Sequence, residues 1–291
     1  MPYHSARLEG KMARSLYRAA LPMIVRRRVR VPRELSLDVF AYSGENTLPE
    51  QVASIRSFLA YAGRPKQFTV VSDGSYTNAS IELLKKIDNC VRVQRSAPPL
   101  PPRLPQKVES YLTNHFTGKQ LALIMSLPAN GPTLYTDSDV LFFPEAVQLA
   151  DLSRTQSVSA FYLADYQFSV DERLIRDATE RENPANMGFL LLFQKLDWSL
   201  GLERLEMLND VPNFFTTQTV THLCLHANGA VAFDPQKYIL EAADQFIYRD
   251  RYAGNSIAIR HYVNPVRHKF WVAIAYQCFT KWTSRFAFSA L

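Results

Sequence analysis

"LYTDSDVLFFP", residues 134 to 144, sets two carboxylates into a run that otherwise reads as a buried strand. Leu134, Tyr135, Val140, Leu141, Phe142 and Phe143 have the composition of core strand, which predicts one strand through the whole stretch. Asp137 and Asp139 interrupt it, and a carboxylate is costly to bury without a partner. In extended or turning backbone, residues i and i+2 project the same way, so both acids can face one point. Two carboxylates converging at a strand end suit a hard divalent cation with positions left open for substrate. An isolated Asp-x-Asp is as readily a solvated turn or helix cap; the apolar flanks are what place this pair at a sheet edge.

Upstream, "LDVFAY" (37–42), "FTVVSD" (68–73) and "CVRVQ" (90–94) read as strands separated by helical patterns. Thr47 and Glu50 have capping-box spacing, Val52, Ile55, Leu59 and Ala62 share one helical face, and Gly63 and Pro65 stop that helix. A second helix follows at 79–87. This β-α-β-α-β opening predicts an α/β fold with a parallel sheet that binds ligands at the carboxyl ends of its strands. A proline-rich loop (96–105) leads to helical segments around 107–127, and further apolar runs lie at 159–164, 187–193, 230–233 and 256–262. The last twenty residues, 272–291, form an aromatic helical pattern that could pack on the body, dimerise or touch lipid.

Nine basic residues against two acidic ones give positions 1–34 a net charge of +7, which leaves the rest of the chain at −1. The basic character therefore belongs to an N-terminal arm. Its apolar part, Ala19 to Val25, is too short to span a bilayer and runs into arginines rather than a cleavage site. Either it is a surface helix packed on the domain, or it lies on an anionic membrane surface. The body lacks a basic, aromatic-interleaved surface, which argues against nucleic acid. Cys90, Cys224 and Cys278 have no framework spacing and fit a reducing compartment, so the expected location is cytoplasmic, either free or, if the arm lies on lipid, peripheral at the inner membrane face. His222 and His226 have the spacing of a zinc pair but no third clustered ligand, so packing or capping is the expectation. No Walker loop, Gly-x-Gly-x-x-Gly or Ser-His-Asp arrangement is present.

"YTDSDVLFF" resembles the metal-binding motif of nucleotide-sugar-dependent glycosyltransferases of the GT-A fold. Three further landmarks resemble the glycogenin and lipopolysaccharide-galactosyltransferase type, family 8, in the same order: Asn186-Met-Gly188, Thr217-Gln218-Thr219, and "HYVNPVRHKFW" with His261, Lys269 and Trp271. The resemblance covers roughly residues 36–271, a GT-A-like mixed sheet flanked by helices. Departures are the two threonines where the family has acids, Asn264 for Gly, Phe270 for Pro, and two extra residues between His261 and Lys269.

The resemblance implies that Asp137, Asp139 and His261 bind Mn²⁺ or Mg²⁺, with Asp137 alternatively reaching the ribose. Asp137, Ser138 and Asp139 would contact a UDP-sugar, with Lys119 and Lys269 beside its sugar or phosphates. Ala41, Tyr42, Ser43 and Asp73 would hold the base. Asn186, Gly188 and Gln218 would border the transferred sugar, which passes with retention to a carbohydrate, lipid-linked or protein hydroxyl. Two rivals stay open: an inactive scaffold or membrane-surface binding protein with this fold, and a nucleotidyltransferase that makes sugar nucleotides. The second normally carries a basic Gly-rich loop after its first strand, which "YSGENTLPEQ" does not supply.

Overall fold

The computed structural model describes residues 2–96, 100–128, 130–154 and 157–275. Helix α1 (Pro2–Ile24) precedes the expected alternation of β1 (Asp38–Ser43), α2 (Leu48–Tyr61), β2 (Gln67–Ser72), α3 (Asn78–Lys85) and β3 (Val91–Gln94). The helical segments expected around 107–127 form two helices, α4 (Gln106–Asn114) and α5 (Phe116–Met125). His115 between them is extended, with ψ 139°, which turns the chain. Then come β4 (Thr133–Thr136), β5 (Val140–Phe142), a short α6 (Leu149–Leu152), β6 (Ala160–Ala164) and β7 (Ala185–Leu192). The last elements are α7 (Ser199–Met207), α8 (Thr216–Ala227), β8 (Val231–Ala232), β9 (Tyr238–Ile239) and β10 (Ile259–His261).

Seven strands make the main sheet in the order β3-β2-β1-β4-β7-β6-β8. The first four are parallel, and β7 runs antiparallel to both β4 and β6. Successive side chains alternate between two cores, as the period of a strand requires. On β1, Val39 and Ala41 enter the core shared with α2 and α3, while Phe40 and Tyr42 pack against the core of α4, α5 and α8. Leu134 and Tyr135 of β4 divide in the same way. The result is the mixed α/β sheet flanked by helices that the sequence implies.

The stretch 134–144 is not one strand. It leaves the main sheet after Thr136 and enters a second sheet, β5-β10-β9, at Val140. The two aspartates occupy the crossing between the sheets, which spares them the cost of sitting unpaired inside a buried ladder. The capping box at Thr47 also does not form. Glu50 instead points inward to the Arg14 guanidinium and to Trp271 Nε1, at 3.2 Å from the latter. Residues of the basic segment are part of the body: Ala6, Leu21 and Val25 are buried, and Tyr17 packs on Trp271 at 5.1 Å. The chain is helical from 267 to 275, and the rest of the expected C-terminal helix lies outside the described residues. Among the described residues, no helix is long and apolar enough to cross a membrane.

Candidate active site

Backbone hydrogen bonds hold the Asp-Ser-Asp crossing from both sides. Asp137 N–H donates to Gly188 O of β7 at 2.8 Å, and Tyr262 N–H, just past β10, donates to Asp139 O at 2.9 Å. Val140 N–H closes the turn on Asp137 O at 3.3 Å. The crossing thus ties the end of β4 to the two strands that carry Gly188 and His261. One carboxylate oxygen from each aspartate and one nitrogen of His261 lie within 4.8 Å of one another. His261 Nε2 is 3.1 Å from Asp139 Oδ1 and 3.7 Å from Asp137 Oδ2. Its other ring nitrogen, Nδ1, is buried without a hydrogen-bond partner among the described residues. Two carboxylates and one imidazole, gathered and mostly buried, fit a divalent cation of the manganese type.

Charge in this cluster is finely divided. Asp137 Oδ1 accepts from Tyr135 Oη at 2.8 Å and from Gln120 Nε2 at 2.9 Å. Burial nonetheless pushes its carboxyl up, with His261 working against that and the neighbouring Asp139 adding to it. Burial would raise Asp139 as well, but His261 and Arg267 outweigh it and hold that carboxyl at about 2. Arg267 Nη2 donates to Asp139 Oδ2 at 2.7 Å, and its side chain is half exposed. Ser138, between the acids, is buried at the same turn.

Asn186 and Gly188 have distinct tasks. Pairing between β6 and β7 slips after Tyr162, which frees the middle of β7, and Asn186 Oδ1 accepts the Gly188 N–H at 2.9 Å. That bond explains the Asn-x-Gly spacing. A Cβ at position 188 would lie 2.3 Å from His261 Cε1 and 2.8 Å from Asp137 Oδ2, so only glycine lets the imidazole and carboxylate meet. Asn186 Nδ2 donates to Gln218 Oε1 at 3.2 Å, and Gln218 Nε2 donates to Asp165 Oδ2 at 3.0 Å. Asp165, at the end of β6, is raised by burial and sits within electrostatic reach of His261. Asn186, Gln218 and Asp165 thus form one polar group beside the acidic pair.

The first strand ends are partly committed elsewhere. Ala41 is in the core, and Ser43 Oγ is 2.8 Å from both Gln51 Oε1 and Tyr76 Oη. Asp73, exposed past β2, accepts the N–H and hydroxyl of Ser75. Burial first, then the charge of Asp73, pushes the Tyr42 phenol up to about 12, and its buried hydroxyl has no hydrogen-bond partner among the described residues.

Two lysines do not reach the cluster as expected. Lys119 is half-buried on α5, and its neighbour Gln120 contacts Asp137 instead. Lys269 is fully buried, with Nζ donating to Ile247 O and Arg249 O at 2.7 Å and 3.4 Å from Asp244 Oδ2. All its donors are in use, so it cannot meet a leaving group; Arg267 is the cation at the acidic pair. Thr217 and Thr219 point into the protein: Thr217 Oγ1 meets Tyr111 Oη at 2.5 Å, and Thr219 Oγ1 accepts the Asp171 N–H at 2.7 Å. Both are buried, where acids would be costly. His222 accepts the Ala185 N–H at Nδ1 and donates from Nε2 to Glu180 O, and His226 Nε2 meets Asn183 O, so the histidines fix the approach to β7.

No family model matches the chain, and no curated protein matches it. Solved structures do. The galactosyltransferase LgtC, in complex with donor and acceptor sugar analogues, has 17% sequence identity and a TM-score of 0.50, covering 79% of this chain and 87% of that one. Mouse xyloside xylosyltransferase 1 has 12% identity and a TM-score of 0.50, covering 80% and 99%. The bifunctional glycosyltransferase WbbM has 11% identity and a TM-score of 0.51, covering 82% of this chain and 48% of that one. The chain therefore has the fold of these glycosyltransferases, as the ordered motifs imply.

Proposed function

We propose that the protein is a metal-dependent glycosyltransferase that moves a sugar from a UDP-sugar to a hydroxyl acceptor, with retention of configuration. The observation that carries this reading is the meeting of Asp137, Asp139 and His261, from two distant segments, beside Asn186 and Gly188 in a glycosyltransferase fold. Asp137, Asp139 and His261 hold Mn²⁺ or Mg²⁺, and the bound ion stabilises negative charge on the departing diphosphate. Arg267 adds a fixed positive charge at the same place, in the role the sequence assigned to Lys269. Gln218, Asn186 and Asp165 orient the sugar hydroxyls. Gln218 cannot ionise, which suits electrostatic support better than covalent attack. Tyr42 and Asp73 face the base and ribose.

Thr217 and Thr219 are buried and hydrogen-bonded within the body, a packing role that favours an active enzyme over an inactive scaffold. The cytoplasmic location at a membrane face belongs to the same proposal. Thermal shift with UDP, GDP and CMP, each with and without Mn²⁺, tests the reading. Stabilisation by UDP that needs the metal supports it, since a ligand confined to the folded state raises stability with its concentration. No shift with any nucleotide sinks it. A panel of sugar nucleotides, followed by slow hydrolysis, then names the donor.

A further inference from the structure

Helix α1 is apolar on two opposite sides. Its inner side is fixed to the body: Ala6 and Leu21 are buried, and a Cβ at Gly10 would lie 2.5 Å from His268 O. Its outer side carries Leu8, Met12, Leu16 and Met23, which are 62%, 59%, 70% and 63% exposed. With Ala19, these positions recur at steps of four, four, three and four, one continuous stripe along the helix. A packed helix has no structural need for such a stripe facing water.

The surface extends beyond the helix. Phe246, Ile247 and Tyr248 form an exposed apolar loop beside the first turn of α1, where Tyr3 meets Phe246 edge-on at 5.4 Å. Tyr248 hydrogen-bonds Glu9, which occupies the acid of that face. The loop is also held from behind, through the Ile247 and Arg249 carbonyls on Lys269. Exposed Arg7, Lys11 and Arg18 flank the stripe, and Arg26, Arg27 and Arg28 follow the helix.

We infer that the outer face of α1 and the 246–248 loop dock on a lipid bilayer that carries anionic headgroups. The charge decides the occupant. Residues 1–34 hold a net +7 against −1 for the rest, and an apolar stripe edged by guanidinium groups matches an interfacial helix. The side chains enter the headgroup boundary while the arginines meet phosphate, and the body stays in water. This inference rests on the proposed function only for the membrane-face location, since the binding itself needs no catalysis.

The experiment is co-sedimentation of the full chain with phosphatidylcholine vesicles, alone and mixed with phosphatidylglycerol. The chain is expected to pellet with the mixed vesicles, not with the neutral ones, and to be released at about 1 M salt, where screening is nearly complete. Met12→Asp with Leu16→Asp lowers partition about tenfold or more, while UDP–Mn²⁺ stabilisation and the thermal midpoint stay as in the parent. Replacing Arg26, Arg27 and Arg28 by Glu weakens binding without touching the stripe. Failure to pellet with anionic vesicles overturns the inference, as does pelleting that the Asp substitutions leave unchanged. A dimer that Leu16→Asp dissociates would assign the stripe to a second copy and overturn it as well. Vesicle binding without nucleotide binding would sink the transferase reading and keep this one, and the reverse result would do the opposite.

Discussion

Arg260 and His261 are consecutive on β10, and each sits in a cluster of two carboxylates and two basic side chains. On the Arg260 side, Asp244, Asp250 and Lys269 complete a closed cage: Arg260 Nη2 is 2.8 Å from Asp244 Oδ1, Asp250 also meets the guanidinium, and Tyr252 and Tyr262 cover it at 5.1 and 4.9 Å. Arg260, Asp244 and Lys269 have no exposed side-chain surface. On the His261 side, Asp137 and Asp139 keep 23% and 12% of their side-chain surface, and Arg267 keeps 50%. Equal formal composition therefore produces opposite results. The cage has partners for nearly every charge and admits nothing, whereas the acidic pair, though mostly buried, keeps some exposed surface and its ligand atoms converge on one point. Burial without access marks structure; convergence with access marks chemistry.

The cage should break hardest. Arg260→Ala leaves Asp244 and Asp250 buried without their main partner, an expected loss of about 3–5 kcal/mol of folding stability in denaturant titration. A loss under about 1 kcal/mol would mean the cage is more hydrated than described. The acidic pair should respond with the opposite sign. Asp137→Asn keeps an acceptor for Tyr135 and Gln120 while relieving repulsion from Asp139, so the metal-free protein gains about 1 kcal/mol, or a few degrees in melting midpoint. The same variant loses metal-dependent nucleotide binding. Destabilisation without metal would show that the pair is held together as tightly as the cage.

Gly188→Ala forces the His261 ring off the acidic pair. The expected cost is about 10–100-fold in manganese affinity, measured by calorimetry, because misorienting a ligand resembles losing its supporting contacts. Arg267→Ala should weaken UDP binding about tenfold with little change in stability, as the side chain is half exposed. The smallest effect concerns His268, behind the cage. Burial first, then the charges of Lys269 and Arg7, hold its imidazole down at about 4, below the ordinary 6.5. The unfolded chain then binds more protons, so this contribution is complete above about pH 6.5 and fades as the pH falls towards 4. His268→Gln should flatten that limb of the stability curve by less than about 1 kcal/mol after screening.

Much of this was legible in the chain. The alternation of β1 through β3 and the acidic pair follow from local periodicity and a short spacing, whereas Asn186, Gly188, Gln218 and His261 were singled out by the resemblance of ordered motifs. Residues that act across the tertiary structure were not. Gln120, Tyr135 and Asp165 carry no local mark, because an amide on a helix or a phenol on a strand has no direction until neighbours are packed. Lys269 was assigned to the leaving group because it resembles the Lys of the family's terminal Lys-Pro-Trp motif, and no motif marked Arg267. Two steps along a helix rotate a side chain by about 200°, so these neighbours face opposite ways, one into the cage and one onto Asp139. The 134–144 stretch misled for a related reason: composition marks burial but not the sheet in which a residue is buried.

Electron paramagnetic resonance titration of Mn²⁺ into the full chain with UDP present tests the central claim most directly. One saturable class of bound manganese per chain is expected, abolished in Asp139→Ala and weakened in His261→Ala, with both variants still folded by circular dichroism. Free manganese rising in strict proportion to the amount added, or binding that neither substitution alters, would contradict the assignment of Asp137, Asp139 and His261 as a metal site.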